Sequence, residues 1–378
     1  MSERRIAYLG SSTALDGGSE LCLLRMVRHF HPIHRITLFL PDDGPLFQKA
    51  REEGIDCVNL NFLRLRKHRG WNWARWWSSM RKARKRLEAE CRQRGVELLH
   101  FNDFIDLPYY SVAKRLRIPS VTHLRLIISN PSARTLYRSA IRNAGCTVLP
   151  VSQAVLKNMI EGDIRIPTKV LYDPAPDSSH FHPKSQPRDP GPFRLTMVSK
   201  LLENKGHLNF LEVAHALEKR SPDRYSYTLV APPSPGRENY EQRVRQSFAR
   251  LPLDRSRWIG GAGHEALGQI LRESDLLIHL PDTEDSFPGV VLEAMASGTP
   301  VLAYRCGGIP EQLDQGAAGI LVEPGNLNGV VEEVERISSN EDLQQDIASQ
   351  GLKRIQTEFS AERHFTELTA IYEGLLGE

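Results

Sequence analysis

The chain has 378 residues, of which 40% are hydrophobic and 25% charged, with a formal net charge of +3; this excludes a disordered chain and leaves room for two ordinary domains. No apolar run approaches the roughly 20 residues needed to span a bilayer, and the N-terminus has no charged segment followed by an apolar leader, so no secretory signal is expected. Five cysteines, far apart and without CxxC spacing, argue against a zinc site or disulfide framework and for a reducing, cytoplasmic setting.

Short apolar, β-branched runs alternate with helical patterns from the start of the chain. Strands are predicted at Arg5–Gly10, Arg35–Leu40, Asp56–Leu60, Glu97–Phe101, Ser120–Leu124, Cys146–Pro150 and Lys169–Tyr172, with helices such as Ser19–Phe30 and Leu107–Leu116 between them. This alternation builds a parallel sheet covered on both faces. Six prolines between Pro174 and Pro192 exclude regular structure and read as a linker. Strands resume at Phe193–Ser199, Ser226–Ala231, Arg257–Gly260, Asp275–Leu280, Pro300–Tyr304 and Gly319–Glu323, and the C-terminal segment is helical. The fold class is therefore α/β, with two doubly wound, Rossmann-like domains, residues 1–173 and 193–359, joined by a linker at 174–192. Such sheets bind ligands at the carboxyl ends of their strands, and the cleft between two domains is the default site.

Residues 61–94 stand apart. Four of the five tryptophans fall here, among many arginines and lysines. Trp73, Trp76 and Trp77 follow helical spacing, with Arg81, Lys82 and Lys85 mostly to the sides and back. An apolar stripe flanked by cations suits a helix lying on an anionic membrane surface. The same stripe also suits packing against the N-terminal sheet, and both readings stand. Nucleic acid is not expected as a partner, because no binding motif accompanies the basic patch.

The stretch EDSFPGVVLEAMASGTPV, Glu284–Val301, turns into a helix. Pro288 belongs to its first turn, and the amides of Gly289, Val290 and Val291 are expected to lack helical partners. Free amides and the helix dipole attract phosphate or sugar oxygens. Glu293, one turn further, would repel phosphate but matches the paired hydroxyls of a ribose. Lys200 and Lys205, in VSKLLENKGH, occupy a strand end and a helix start and suit a diphosphate. Asn102, in HFND, also ends a strand and is placed on the acceptor side.

SKLLENKGH, EDSFPGVVLEAMASGTPV and GGIPEQLDQGAAGILVEPGN together resemble glycosyltransferase family four. LDGGSE resembles its N-terminal glycine loop, VTHLR its strand with a cleft-facing histidine, and VSQAVLKNMI its serine-started helix. The resemblance covers nearly the whole chain. It implies the GT-B fold, a retaining, sugar-nucleotide-dependent transfer and no cofactor or metal, with a UDP-sugar or GDP-sugar as substrate. It implies that Lys205 and Lys200 hold the donor diphosphate, Lys200 standing where arginine is usual. It places Glu293 on the ribose, His123 near the reaction centre, and Gly17 and Gly18 against phosphate. Phe287 falls in the same donor turn as Gly289, and Arg125, next to His123's strand end, falls on the acceptor side. The family's first glutamate is replaced by Asp285, with Glu284 beside it, and either acid is a candidate for that role. The C-terminal helix, 360–378, is expected to return to the N-terminal domain.

The implied acceptor is a glycan or lipid-linked hydroxyl, met on the inner face of the membrane in bacterial cell-surface polysaccharide or glycolipid synthesis. Two alternatives remain open: a sugar-nucleotide epimerase on the same fold, and a catalytically silent subunit that scaffolds glycan assembly.

Overall fold

In the computed structural model, which describes residues 3–15, 17–62, 73–160, 163, 165–184 and 190–377, the strands form two separate six-stranded sheets. The chain divides into two compact units, residues 1–173 with 362–378 and residues 174–361.

The first sheet contains β1 (Arg5–Leu9), β2 (Arg35–Leu40), β3 (Asp56–Asn59), β4 (Leu98–Phe101), β5 (Ser120–Leu124) and β6 (Thr147–Pro150). Their order is β3-β2-β1-β4-β5-β6, and every pairing is parallel. The central strands are continuous apolar runs because both of their faces are covered: every residue of β4 and β5 is buried. Lys169–Tyr172 does not form the expected strand. Lys169 N donates to Val148 O and Leu171 N to Pro150 O, each at 3.0 Å, so the segment runs along β6 with only an isolated bridge at Thr168.

The helix Ala361–Leu376 supplies Phe365, Leu368 and Tyr372 to the core of this first unit. Phe365 stacks on His29 at 3.8 Å. Tyr372 hydroxyl meets Tyr8 hydroxyl at 2.9 Å. Burying apolar side chains of this size stabilises by about 1.5–3 kcal/mol each, enough to fasten a terminal helix.

The second sheet contains β7 (Phe193–Val198), β8 (Tyr225–Val230), β9 (Ser256–Ile259), β10 (Leu276–His279), β11 (Val301–Tyr304) and β12 (Ile320–Val322). It is also all parallel, with the order β12-β11-β10-β7-β8-β9. Its core is a separate cluster that includes Met197, Phe210, Tyr227 and Ile278. The proline-rich segment from Pro174 is part of this unit and not a free connector. Phe181 is buried, Arg272 Nη1 donates to His180 O at 2.7 Å, and Ala175 N donates to Phe359 O at 2.6 Å. The described residues between Pro174 and Pro192 form no helix or strand, yet they pack.

Candidate functional site

In an open parallel sheet, ligands bind at the carboxyl ends of the strands where the strand order reverses. In the second unit that point lies between β7 and β10. Lys200 follows β7 by two positions and is half-buried. One 3-10 turn, Glu203–Lys205, then leads through Gly206 into the helix His207–Arg220. Gly206 has φ 78°, and a Cβ on it would overlap the carbonyl of Leu280 just past β10; both demands select glycine. That close approach lets the two loops join. Asp282 N donates to Asn204 O at 3.0 Å, and Asn209 Nδ2 donates to Asp282 Oδ1 at 2.8 Å.

The joined loops bring three charged or titratable groups together. Lys205 Nζ donates to Asp285 Oδ2 at 2.6 Å. His279, the last residue of β10, has Nε2 at 3.4 Å from the same oxygen. The Asp285 side chain is only 11% exposed, whereas Glu284 is exposed, so Asp285 is the acid turned into the cluster. Burial alone would raise its carboxyl. His279 and the Lys205 ammonium outweigh that and hold it well below the usual carboxylate range. The Asp285 backbone is fixed as well. Gly308 N donates to Asp285 O at 2.9 Å, and Gly307, at φ 56°, lies so close to Asp285 that a Cβ would overlap its backbone.

The helix Gly289–Ala296 begins after Pro288, which is its N-cap and not a first-turn residue. Val291 N does have a partner, donating to Pro288 O at 3.2 Å. Its side chain is fully buried, so Val291 belongs to the core and not to an anion site. Gly289 is exposed and Val290 half-buried at the helix start. Phe287 is 7% exposed, edge-on to Phe359 with ring centres 5.6 Å apart. Its side chain therefore anchors the turn and is not presented to a ligand. Glu293 is half-buried one turn along the helix. The sequence reading does not reach His279 or Gln312. His279 ends an apolar strand run, which is its one local signal. Gln312 has none, yet it is fully buried and donates Nε2 to Pro288 O at 3.0 Å.

In the first unit the order reverses between β1 and β4. Gly17 is the N-cap of the helix Gly18–Phe30. Ser19 therefore sits inside the first turn, where its Oγ donates to Glu20 Oε2 at 2.9 Å. The Glu20 carboxylate folds back against Gly17, so closely that a Cβ there would overlap it. This helix start carries its own acid, which counters the phosphate contact expected of Gly17 and Gly18. Asn102 is buried and donates Nδ2 to Ser19 O at 3.1 Å, bracing the end of β4 against the β1 loop. Arg125 is also buried. It pairs with Asp173 and donates Nε to Asn102 O at 3.3 Å. These bonds commit both side chains to the inside of the unit, which corrects their placement on an acceptor surface.

His123, in β5, is fully buried and stacks on His100 with ring centres 4.9 Å apart. His100 Nδ1 lies 2.5 Å from the Tyr372 hydroxyl. Burial, with Arg125 nearby, pushes His100 down to about 3 and His123 well below the usual imidazole range. Neither ring nitrogen of His123 has a hydrogen-bond partner among the described residues. Leaving a buried polar group unsatisfied costs about 1–3 kcal/mol, so the neutral imidazole is kept at a cost to stability.

The helix Trp73–Arg94 divides the tryptophan stripe. Met80, Ala83, Leu87 and Cys91 are buried, so the packing seam follows the tryptophans in sequence. Trp76 is half-buried at the head of that seam. Trp77 is 54% exposed, and Arg81, Lys82 and Lys85 are exposed with it. The side chain of Trp73 and all of residues 63–72 lie outside the described residues. No helix among the described residues is long and apolar enough to cross a membrane.

Residues 178–354 match the family described as Glycosyl transferases group 1. The N-acetyl-alpha-D-glucosaminyl L-malate synthase of Bacillus anthracis is 33% identical over 110 residues, 29% of this chain and 29% of that protein. The D-inositol 3-phosphate glycosyltransferase of Corynebacterium jeikeium (strain K411) is 28% identical over 225 residues, 56% of this chain and 53% of that protein. The matched stretches thus span about a third to a half of those relatives' own length. The crystal structure of Anabaena Alr3699/HepE in complex with UDP superposes with a TM-score of 0.81 at 21% identity, covering 98% of this chain and 100% of that one. The protein has the GT-B fold, two Rossmann-like domains each with a parallel six-stranded sheet, and residues 178–354 of its second unit are similar to the Glycosyl transferases group 1 family.

Proposed function

We propose that this protein is a retaining glycosyltransferase that moves a sugar from a nucleoside diphosphate to a hydroxyl acceptor in polysaccharide or glycolipid synthesis. The observation that carries the reading is the convergence of Lys205, Asp285 and His279 where the second sheet reverses its order. An ammonium has three donors, and the bond to Asp285 uses one. The others are available to a diphosphate, with Lys200 adding a second positive charge. Glu293 is assigned to the ribose hydroxyls and Asp285 to the donor sugar. The group 1 match over residues 178–354 and the UDP held by the Anabaena structure support a nucleotide donor.

In the reaction, the bond from the anomeric carbon to the diphosphate breaks, and a bond to the acceptor oxygen forms on the same face. The acceptor proton passes to the departing diphosphate. The lysines stabilise the charge that develops there, and no protein nucleophile is needed. His123, fully buried with both ring nitrogens enclosed, is assigned no contact with the sugar. The test is incubation of the pure protein with a panel of UDP- and GDP-sugars. Release of UDP or GDP from one donor, rising when a hydroxyl acceptor is added, is the expected result. Interconversion of the sugar without nucleotide release would mean an epimerase, and calorimetry showing no nucleotide binding would mean a silent scaffold.

A further inference from the structure

β10 is an apolar strand with one exception. Its sequence is LLIH, and all four residues are buried. Side chains alternate along a strand, and Leu276 and Ile278 face the core cluster of the second unit. His279 therefore points to the opposite face, at the carboxyl end of the strand, and is 2% exposed. Neither of its ring nitrogens makes a hydrogen bond among the described residues. Nε2 nevertheless lies 3.4 Å from Asp285 Oδ2, near to but short of good hydrogen-bond geometry. A buried imidazole without a partner costs stability, and an apolar residue would fit the strand pattern without that cost. The histidine is thus held beside one particular oxygen with its bond unmade.

That oxygen already has a partner. Lys205 Nζ donates to it at 2.6 Å, and the Asp285 side chain is 11% exposed. A carboxylate this enclosed is destabilised when its cation is drawn away. A diphosphate, with more charge than one carboxylate, competes for the same ammonium. Lys205 therefore serves two anions, and each bond it gives to one weakens its hold on the other.

We propose that His279 is a positioning residue that takes over Asp285 when Lys205 turns to the diphosphate. The proposal rests on the transferase reading above. A neutral imidazole carries one N–H. With that proton on Nε2, a small side-chain rotation brings it into line with Oδ2. The backbone of Asp285 need not move, because Gly308 N holds its carbonyl at 2.9 Å. Two results follow. Lys205 reaches the diphosphate without leaving a buried carboxylate bare, and Asp285 stays in place for the donor sugar. His279 acts on the donor only through Asp285.

Calorimetry on the full chain with UDP and GDP tests this, with folding of each variant checked by thermal melt. His279→Leu continues the apolar pattern of the strand, and its melt without nucleotide is expected to hold or rise. Its affinity for the nucleotide that the unsubstituted chain binds is expected to fall about tenfold or more, because Asp285 then keeps Lys205 to itself. His279→Gln sets an amide donor near the position of Nε2 and is expected to keep the affinity within about threefold. The deciding variant pairs His279→Leu with Asp285→Asn. With no carboxylate to leave bare, its affinity is expected to return to within about threefold of Asp285→Asn alone. A histidine that merely packs predicts the same loss in both backgrounds. That result, or an unchanged affinity in His279→Leu, would overturn the proposal while leaving the nucleotide site standing. No binding of either nucleotide by the unsubstituted chain would instead remove the transferase reading, and the proposal with it.

Discussion

At Lys205 and Asp285, one hydrogen bond of 2.6 Å connects the two residues that the site depends on most. Lys205→Ala removes both the cation assigned to the diphosphate and the partner of a largely buried carboxylate. Turnover is expected to fall roughly 100-fold or more, as when a charge-stabilising donor is lost, with weaker UDP binding by calorimetry. Near-normal kinetics would remove Lys205 from the mechanism. Asp285→Asn keeps the shape but discards the charge, and its folding should be nearly intact because the glycine loop holds its backbone. Turnover is expected to drop by roughly tenfold or more with UDP affinity little changed, since the acid is assigned to the sugar and not the nucleotide. Loss of UDP affinity in this variant would place Asp285 on the diphosphate side. The depressed carboxyl stays ionised at any working pH, so it contributes no pH dependence to activity above the ordinary carboxylate range.

The helix Trp73–Arg94 is buried along one seam and exposed along another side. Its buried seam through Met80, Leu87 and Cys91 ties it to the first unit, which leaves Trp77 and its neighbouring cations for a partner. Each cation near an anionic membrane surface contributes about 1 kcal/mol. Trp77→Ser combined with Arg81→Glu and Lys85→Glu should therefore abolish co-sedimentation with phosphatidylglycerol vesicles at low salt. All three positions are exposed, so the thermal midpoint should hold. Unchanged sedimentation of a folded variant would refute the membrane role. The sequence offered packing and membrane contact as two compatible readings of a single stripe. Tertiary structure shows the packing part, burying Met80, Ala83, Leu87 and Cys91 and leaving Trp77 exposed, because a helix has two sides.

For the molecule as a whole, loss of stability in acid follows from buried imidazoles. His100, His123 and His364 all belong to the first unit and are held neutral by burial, His100 down to about 3 and His364 to about 4. In the unfolded chain each protonates near pH 6.5. Their contribution is therefore complete above about pH 6.5 and is lost as the pH falls toward the folded values, at up to about 1.4 kcal/mol per pH unit for each histidine. Urea unfolding followed from pH 7 to pH 4 should show a steep fall in the midpoint, and a flat profile over that range would contradict the burial of these rings.

The two sheets were legible from the sequence because strands buried on both faces must be apolar runs, and a parallel sheet forces helices between them. Lys205 beside the second sheet's reversal and the helix start near Gly289 were legible because charged residues and glycines at strand ends stand out from apolar surroundings. Only tertiary structure decided that Asp285 and not Glu284 turns inward, that His279 joins it, that Asn102 and Arg125 brace the first unit from within, and that residues from Pro174 pack on the second. Local spacing fixes which element a residue occupies. Which neighbour its side chain meets depends on loops brought together from distant parts of the chain, as Gly206 and Gly307 do here through contacts that no other residue permits.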